Sequence, residues 1–146
     1  AGQNRLKLWE MTGNYLIESS QNFVFGAGIR QWFRKVQKES YFENDNNLER
    51  LIFPHNIILN FWSEIGLLGA VSFVGLLVCL LVWSWRVYLK DKILGSGLVA
   101  MLAVFFVHGL VDVPYFKNDL SFLFWFLSFI IFLSYWKIVL NSTSQN

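Results

Sequence analysis

One cysteine, Cys79, stands alone in an apolar run of a 146-residue chain, so no disulfide framework can form within it. Two histidines, His55 and His108, are the only imidazoles, and neither has another soft ligand nearby, so the sequence offers no metal cluster. Charge is also scarce. Charged residues make up 15%, against about 25% in an ordinary soluble domain. The net charge of +2 is too small to argue for nucleic acid as a partner. No internal repeat and no signal-peptide pattern are visible.

What fills the space is apolar. Hydrophobic residues reach 55% and aromatics 18%, with seven Trp and fifteen Phe, a composition suited to lipid and its interface. Ile65–Trp85 carries no charge and as a helix spans roughly 30 Å, the thickness of a bilayer core. Arg86, Lys90 and Lys92 close it. Ile93–Val111 is a second run, interrupted only by His108, and Leu120–Trp136 is a third, flanked by Lys117 and Lys137. The expected fold class is therefore all-α and integral to a membrane. Three transmembrane helices, at about 56–85, 93–112 and 119–138, follow an amphipathic helical segment in residues 1–54. Three spans are few for an independent membrane fold, and the chain reads as a piece of a larger multispanning protein. The 86–92 connector holds three basic residues and the 112–119 connector one. The positive-inside rule then puts residues 1–54 and 112–119 outside and the C-terminus in the cytoplasm.

Residues 1–54 hold most of the charge. Asn4 is a candidate cap for a helix with Leu6, Trp9, Gly13, Leu16 and Ile17 on one face, ending near Ser19–Asn22. Gly26-Ala27-Gly28 reads as a turn with unusual backbone angles. A second amphipathic helix sets Ile29, Trp32, Phe33 and Val36 against Arg30, Arg34, Lys35 and Lys38. Its basic side can hold phosphates of a substrate or of lipid headgroups, or can simply be a solvated face. Glu39–Arg50 is polar and reads as a loop.

The candidate chemistry clusters where the chain enters the membrane. Pro54 suits a first helical turn and places His55 and Asn56 near a helix N-terminus. The positive end of the helix dipole disfavours imidazolium, and neutral imidazole is the form a general base needs. Asn56, Asn60 and Glu64 recur every fourth residue as a polar ladder, while the Gly66/Ala70 spacing permits close approach of another helix. The bland reading is that His55 is an interfacial residue and the ladder merely packs against the loop. His108 and Asp112, also four apart, either pair to brace the outer surface or contact substrate.

Taken in order, Arg5-x-x-x-Trp9, Gly26-x-Gly28, His55-Asn56, Glu64-Ile-Gly-Leu-Leu-Gly69 and His108-Gly-Leu-Val-Asp112-Val-Pro114 resemble the signature of the O-antigen ligase and polymerase superfamily. The resemblance covers nearly the whole chain. It implies the periplasmic loop and last spans of a bacterial inner-membrane glycosyltransferase. That enzyme takes a glycan from undecaprenyl diphosphate and passes it to the hydroxyl of an acceptor glycolipid or glycan, with no metal and no cofactor. By motif, His55 matches the family's catalytic histidine and Arg5 one of its substrate-binding arginines. Arg30, Arg34, Asn56, His108 and Asp112 are candidates for substrate binding. A further family arginine has no matching segment in this chain. Two other readings accompany this one: a transporter of a small anion such as bicarbonate built on the same scaffold, and a purely structural membrane fragment. A transporter site belongs near the midplane on a broken helix, whereas these polar groups gather at one edge.

Overall fold

The computed structural model describes residues 2–36, 53–112 and 118–143. Lys38, the polar stretch Glu39–Arg50 and most of the 112–119 connector lie outside them. The described residues are all-helical: α1 (Gly2–Glu18), α2 (Ser20–Phe25), α3 (Trp32–Lys35), α4 (Ile57–Lys90), α5 (Lys92–Gly109) and α6 (Asn118–Thr143). The three long helices α4, α5 and α6 each contain a stretch long and apolar enough to cross a membrane. The chain divides into two compact units. One holds α1 to α3, α4 as far as Val74 and the turn that starts at Gly109; the other holds the rest of α4, α5 and α6.

In the first unit, α1 buries Leu8, Met11, Thr12, Tyr15 and Leu16. This is not the face expected from Leu6 and Ile17, which are 63% and 74% exposed. Asn4 lies inside α1 and not at its cap, because the helix already begins at Gly2. The buried stripe packs with Ala27, Trp32 and Val36, joined by Leu59 and Trp62 from α4. Thr12 explains why a polar residue sits on that stripe. Its hydroxyl donates to Leu8 O at 2.7 Å and accepts the Trp32 indole N–H at 3.0 Å. Thr12→Val leaves that buried donor unpaired. A loss of about 1–3 kcal/mol is expected, read as a lower denaturant midpoint in micelles.

The end of α1 and the start of α2 share their caps. Ser19 Oγ accepts the Asn22 N–H at 3.0 Å, and Asn22 Nδ2 donates back to Tyr15 O at 3.0 Å. Of the second amphipathic helix, the described residues are helical over Trp32–Lys35, with Trp32 and Val36 buried and Ile29 and Phe33 exposed.

In the second unit, Leu80 and Val87 of α4, Leu98 and Leu102 of α5, and Phe124, Leu127 and Ile131 of α6 are buried. Spacings of three, four and seven keep each set on one face. The α4–α5 connection is a single residue. Asp91 Oδ1 accepts the Ile93 and Leu94 N–H groups at 3.1 and 3.0 Å, capping α5 at once, while α4 continues past Arg86 to Lys90. A Cβ on Gly95 would fall 2.2 Å from Tyr88 Cα, so this tight hairpin requires glycine there. Outside these contacts the spans present apolar side chains outward, and Cys79 is among the exposed positions.

Helix α4 is not one rod. Gly66 has φ 79 and ψ −178, which breaks it. Its 34 residues would extend about 51 Å as a straight helix, well beyond a bilayer core. The stretch from Leu67 to Lys90 alone is roughly 36 Å and suffices to span. The short piece before the break belongs to the first unit and carries the polar ladder.

Candidate active site

The site starts with a cap. Helix α4 begins at Ile57, after Pro54, His55 and Asn56, so the proline and histidine precede the helix instead of forming its first turn. Asn56 Oδ1 accepts the N–H groups of Ile58 and Leu59, both at 3.1 Å, satisfying two of the donors a helix start leaves open. Its Nδ2 donates to Leu110 O at 3.2 Å. One side chain therefore fixes the start of α4 and ties it to the turn after α5. Gly109 makes the approach possible, because a Cβ there would lie 2.9 Å from Ile57 Cγ2.

That tie brings Asp112 to His55. The His55 Nδ1 to Asp112 Oδ1 distance is 3.1 Å, with the side chains 24% and 16% exposed. Helix α5 ends at Gly109, so His108 and Asp112 do not share a helical face. Asp112 meets the other histidine, remote in sequence. His55 also has φ 51, a left-handed conformation that costs a non-glycine residue of order 1–3 kcal/mol. Its hydrogen bond to Asp112 and the neighbouring Asn56 cap hold it there. In the tautomer that donates Nδ1–H to the carboxylate, the Nε2 lone pair is left as the ring's acceptor, the form suited to accepting a proton.

One turn further in, Asn60 is fully buried and Glu64 nearly so. Glu64 Oε2 accepts the backbone N–H of Arg30 at 3.1 Å. The Gly26-Ala27-Gly28 turn, with φ 68 and 100 at its glycines, lies against the same part of α4: the Ala27 N–H reaches Ser63 O at 2.5 Å. Trp62 Nε1 donates to Phe23 O at 2.7 Å. The ladder thus packs against the loop segment that precedes it, as its periodicity suggests, and the Glu64 and Ser63 contacts clamp residues 23–30. Asn60 Nδ2 and Oδ1 and Glu64 Oε1 are buried with no hydrogen-bond partner among the described residues.

The remaining candidates are more dispersed. Arg5 is half-buried on α1, one turn before Leu8 and Trp9, and among the described residues no hydrogen bond or ion pair joins it to His55. Arg30 and Arg34 are exposed around α3, and Lys35 Nζ donates to Ala27 O at 2.6 Å. His108 belongs to the second unit, where it borders an apolar cavity of about 350 Å³ lined by Val104, Phe105, Leu123 and Phe124. The structure thus joins His55, Asn56 and Asp112 into one constellation, and among the described residues no hydrogen bond or ion pair joins Arg5, Arg30 or Arg34 to them. A carboxylate-oriented imidazole at the start of a membrane helix can take a proton from a hydroxyl. No family model matches the chain, and no curated protein or solved structure shows significant similarity to it.

Proposed function

We propose that this chain is the C-terminal part of a membrane glycosyltransferase of the O-antigen ligase and polymerase type, with His55 as its general base. The observation that carries the reading is the 3.1 Å contact between His55 Nδ1 and Asp112 Oδ1. It gives the family-like histidine an orienting carboxylate and leaves Nε2 for the acceptor. In the proposed step the acceptor hydroxyl oxygen attacks the anomeric carbon as its proton passes to Nε2. The bond from that carbon to the phosphate oxygen breaks, and its electron pair leaves with undecaprenyl diphosphate. Attack opposite the leaving group inverts the anomeric centre. The departing diphosphate needs cationic donors, and Arg5, with Arg30 and Arg34, is proposed to supply bidentate contacts to its oxygens.

Asp112 is assigned here to positioning His55 and not to contacting substrate. Residues 1–54 and the turn carrying Asp112 are proposed to face outward from a bacterial inner membrane, with the C-terminus cytoplasmic. The break at Gly66 supports the transferase over a small-anion transporter. In a transporter, unwound backbone lines a vacancy for the ion. Here the Ala27 N–H takes Ser63 O, and Val24 O lies where a Gly66 Cβ would be, so the chain's own backbone fills the gap.

His55→Ala in the intact protein is expected to lower transfer of a labelled glycan from its lipid diphosphate carrier by about 10²–10⁴-fold, with membrane insertion preserved. Unchanged transfer would remove His55 as the base.

A further inference from the structure

Within the second unit, the region where α4 ends and α5 begins carries a feature the proposed reaction does not use. Between the last turns of α4 and α6 lies an open cavity of about 400 Å³. Its walls are Val87, Leu94 and Leu133, and its rim carries Lys90, Lys137 and Ser134. Among the described residues neither lysine is ion-paired. Asp91 also borders the cavity, but one of its oxygens is committed to the α5 N-terminal N–H groups. The other nearby cations are occupied with rings. Arg86 donates to Tyr135 Oη at 3.3 Å and lies 5.8 Å from that ring, and Lys92 Nζ stands 4.1 Å over Tyr88. Trp83 stacks on Tyr135 at 5.5 Å, and Trp85 and Trp136 are exposed at the same level.

Rings of this kind gather at the headgroup level of a bilayer, so they locate the cavity at the membrane interface. A pocket there with an apolar wall and two uncommitted ammonium groups has the chemistry of an anionic lipid site. We infer that Lys90 and Lys137 together hold the phosphate of an anionic phospholipid, whose acyl chain lies along Val87, Leu94 and Leu133. The lipid is a bound structural ligand that fastens α4 to α6, and the site takes no part in proton transfer at His55.

The test is native mass spectrometry of the full chain in micelles with added phosphatidylglycerol or phosphatidylcholine. The chain is expected to retain phosphatidylglycerol at least about tenfold more than phosphatidylcholine. The Lys90→Gln/Lys137→Gln pair should abolish that preference, and Lys90→Arg/Lys137→Arg should keep it, which controls for folding. An Arg86→Gln/Lys92→Gln pair makes the same charge change and should leave the preference intact. Equal losses in both glutamine pairs would overturn the site in favour of diffuse charge. Displacement of the lipid by millimolar inorganic phosphate would overturn it in favour of a free phosphate site.

Discussion

Asp112→Asn is expected to lower glycan transfer by about 10²–10⁴-fold with little change in substrate KM. The carboxylate can only accept, so it selects the imidazole tautomer that carries its proton on Nδ1. An asparagine of the same shape can offer an N–H to Nδ1 instead. The ring then carries its proton on Nε2 and has no lone pair to give the acceptor hydroxyl. The same logic operates when the buried aspartate of a serine-protease triad is made asparagine, where geometry survives and turnover falls about ten-thousandfold. The split between kcat and KM is decisive. A residue that merely contacts the glycan would raise KM and leave kcat near its original value. Asp112→Glu, which keeps the charge, should recover part of the rate. If the asparagine variant turns over within twofold of the parent, the positioning role is lost, whatever His55 does.

The second large effect is on folding. Gly66→Ala places a Cβ 2.2 Å from Val24 O, at a φ of 79 that side chains other than glycine rarely adopt. Neither atom can yield, since Val24 is near the C-terminus of α2 and the adjacent turn is hydrogen-bonded to Ser63 O. Backbone strain and overpacking together should cost about 2–5 kcal/mol. Hydrogen exchange at the Ala27 amide, which reports the clamp directly, should rise with the loss. Gly75→Ala is the control. A Cβ there meets nothing within 4 Å on a helical backbone, so it should be neutral or stabilising by up to about 1 kcal/mol. Equal behaviour of the two variants would show that the α4 break is not fixed by its contacts with the 23–30 segment.

The spans were legible because burial in lipid demands an unbroken apolar run, and Ile65–Trp85 satisfies that by composition alone. Their ends were less so. Hydropathy ceases at Arg86, but α4 continues to Lys90, and Asp91 then caps the next helix. The turn glycines at 26 and 28 and the shared face of Asn60 and Glu64 were also readable, since local sterics and period decide both; their burial is a matter of packing. On α1 two apolar stripes compete. Leu6 and Ile17 look as suitable as Leu8 and Met11, and the choice is made by Thr12, whose hydroxyl meets an indole twenty residues away. Gly66 presents the same difficulty. Paired with Ala70 it matches a helix-crossing pattern, yet it is a break, because the neighbour that needs the space is a carbonyl of α2. In the sequence Asp112 stands out for its spacing from His108. Its contact with His55 spans 57 positions, and that pairing depends on how the Asn56 amide reaches Leu110 O.

The lone thiol gives the molecule a built-in probe. Cys79 is the chain's single cysteine and is exposed on the part of α4 past the break. A spin label or fluorophore attached there marks one position without any engineered substitution. Once in a bilayer, quenchers confined to water and quenchers dissolved in the acyl region compete for that reporter, and their ratio converts directly into depth.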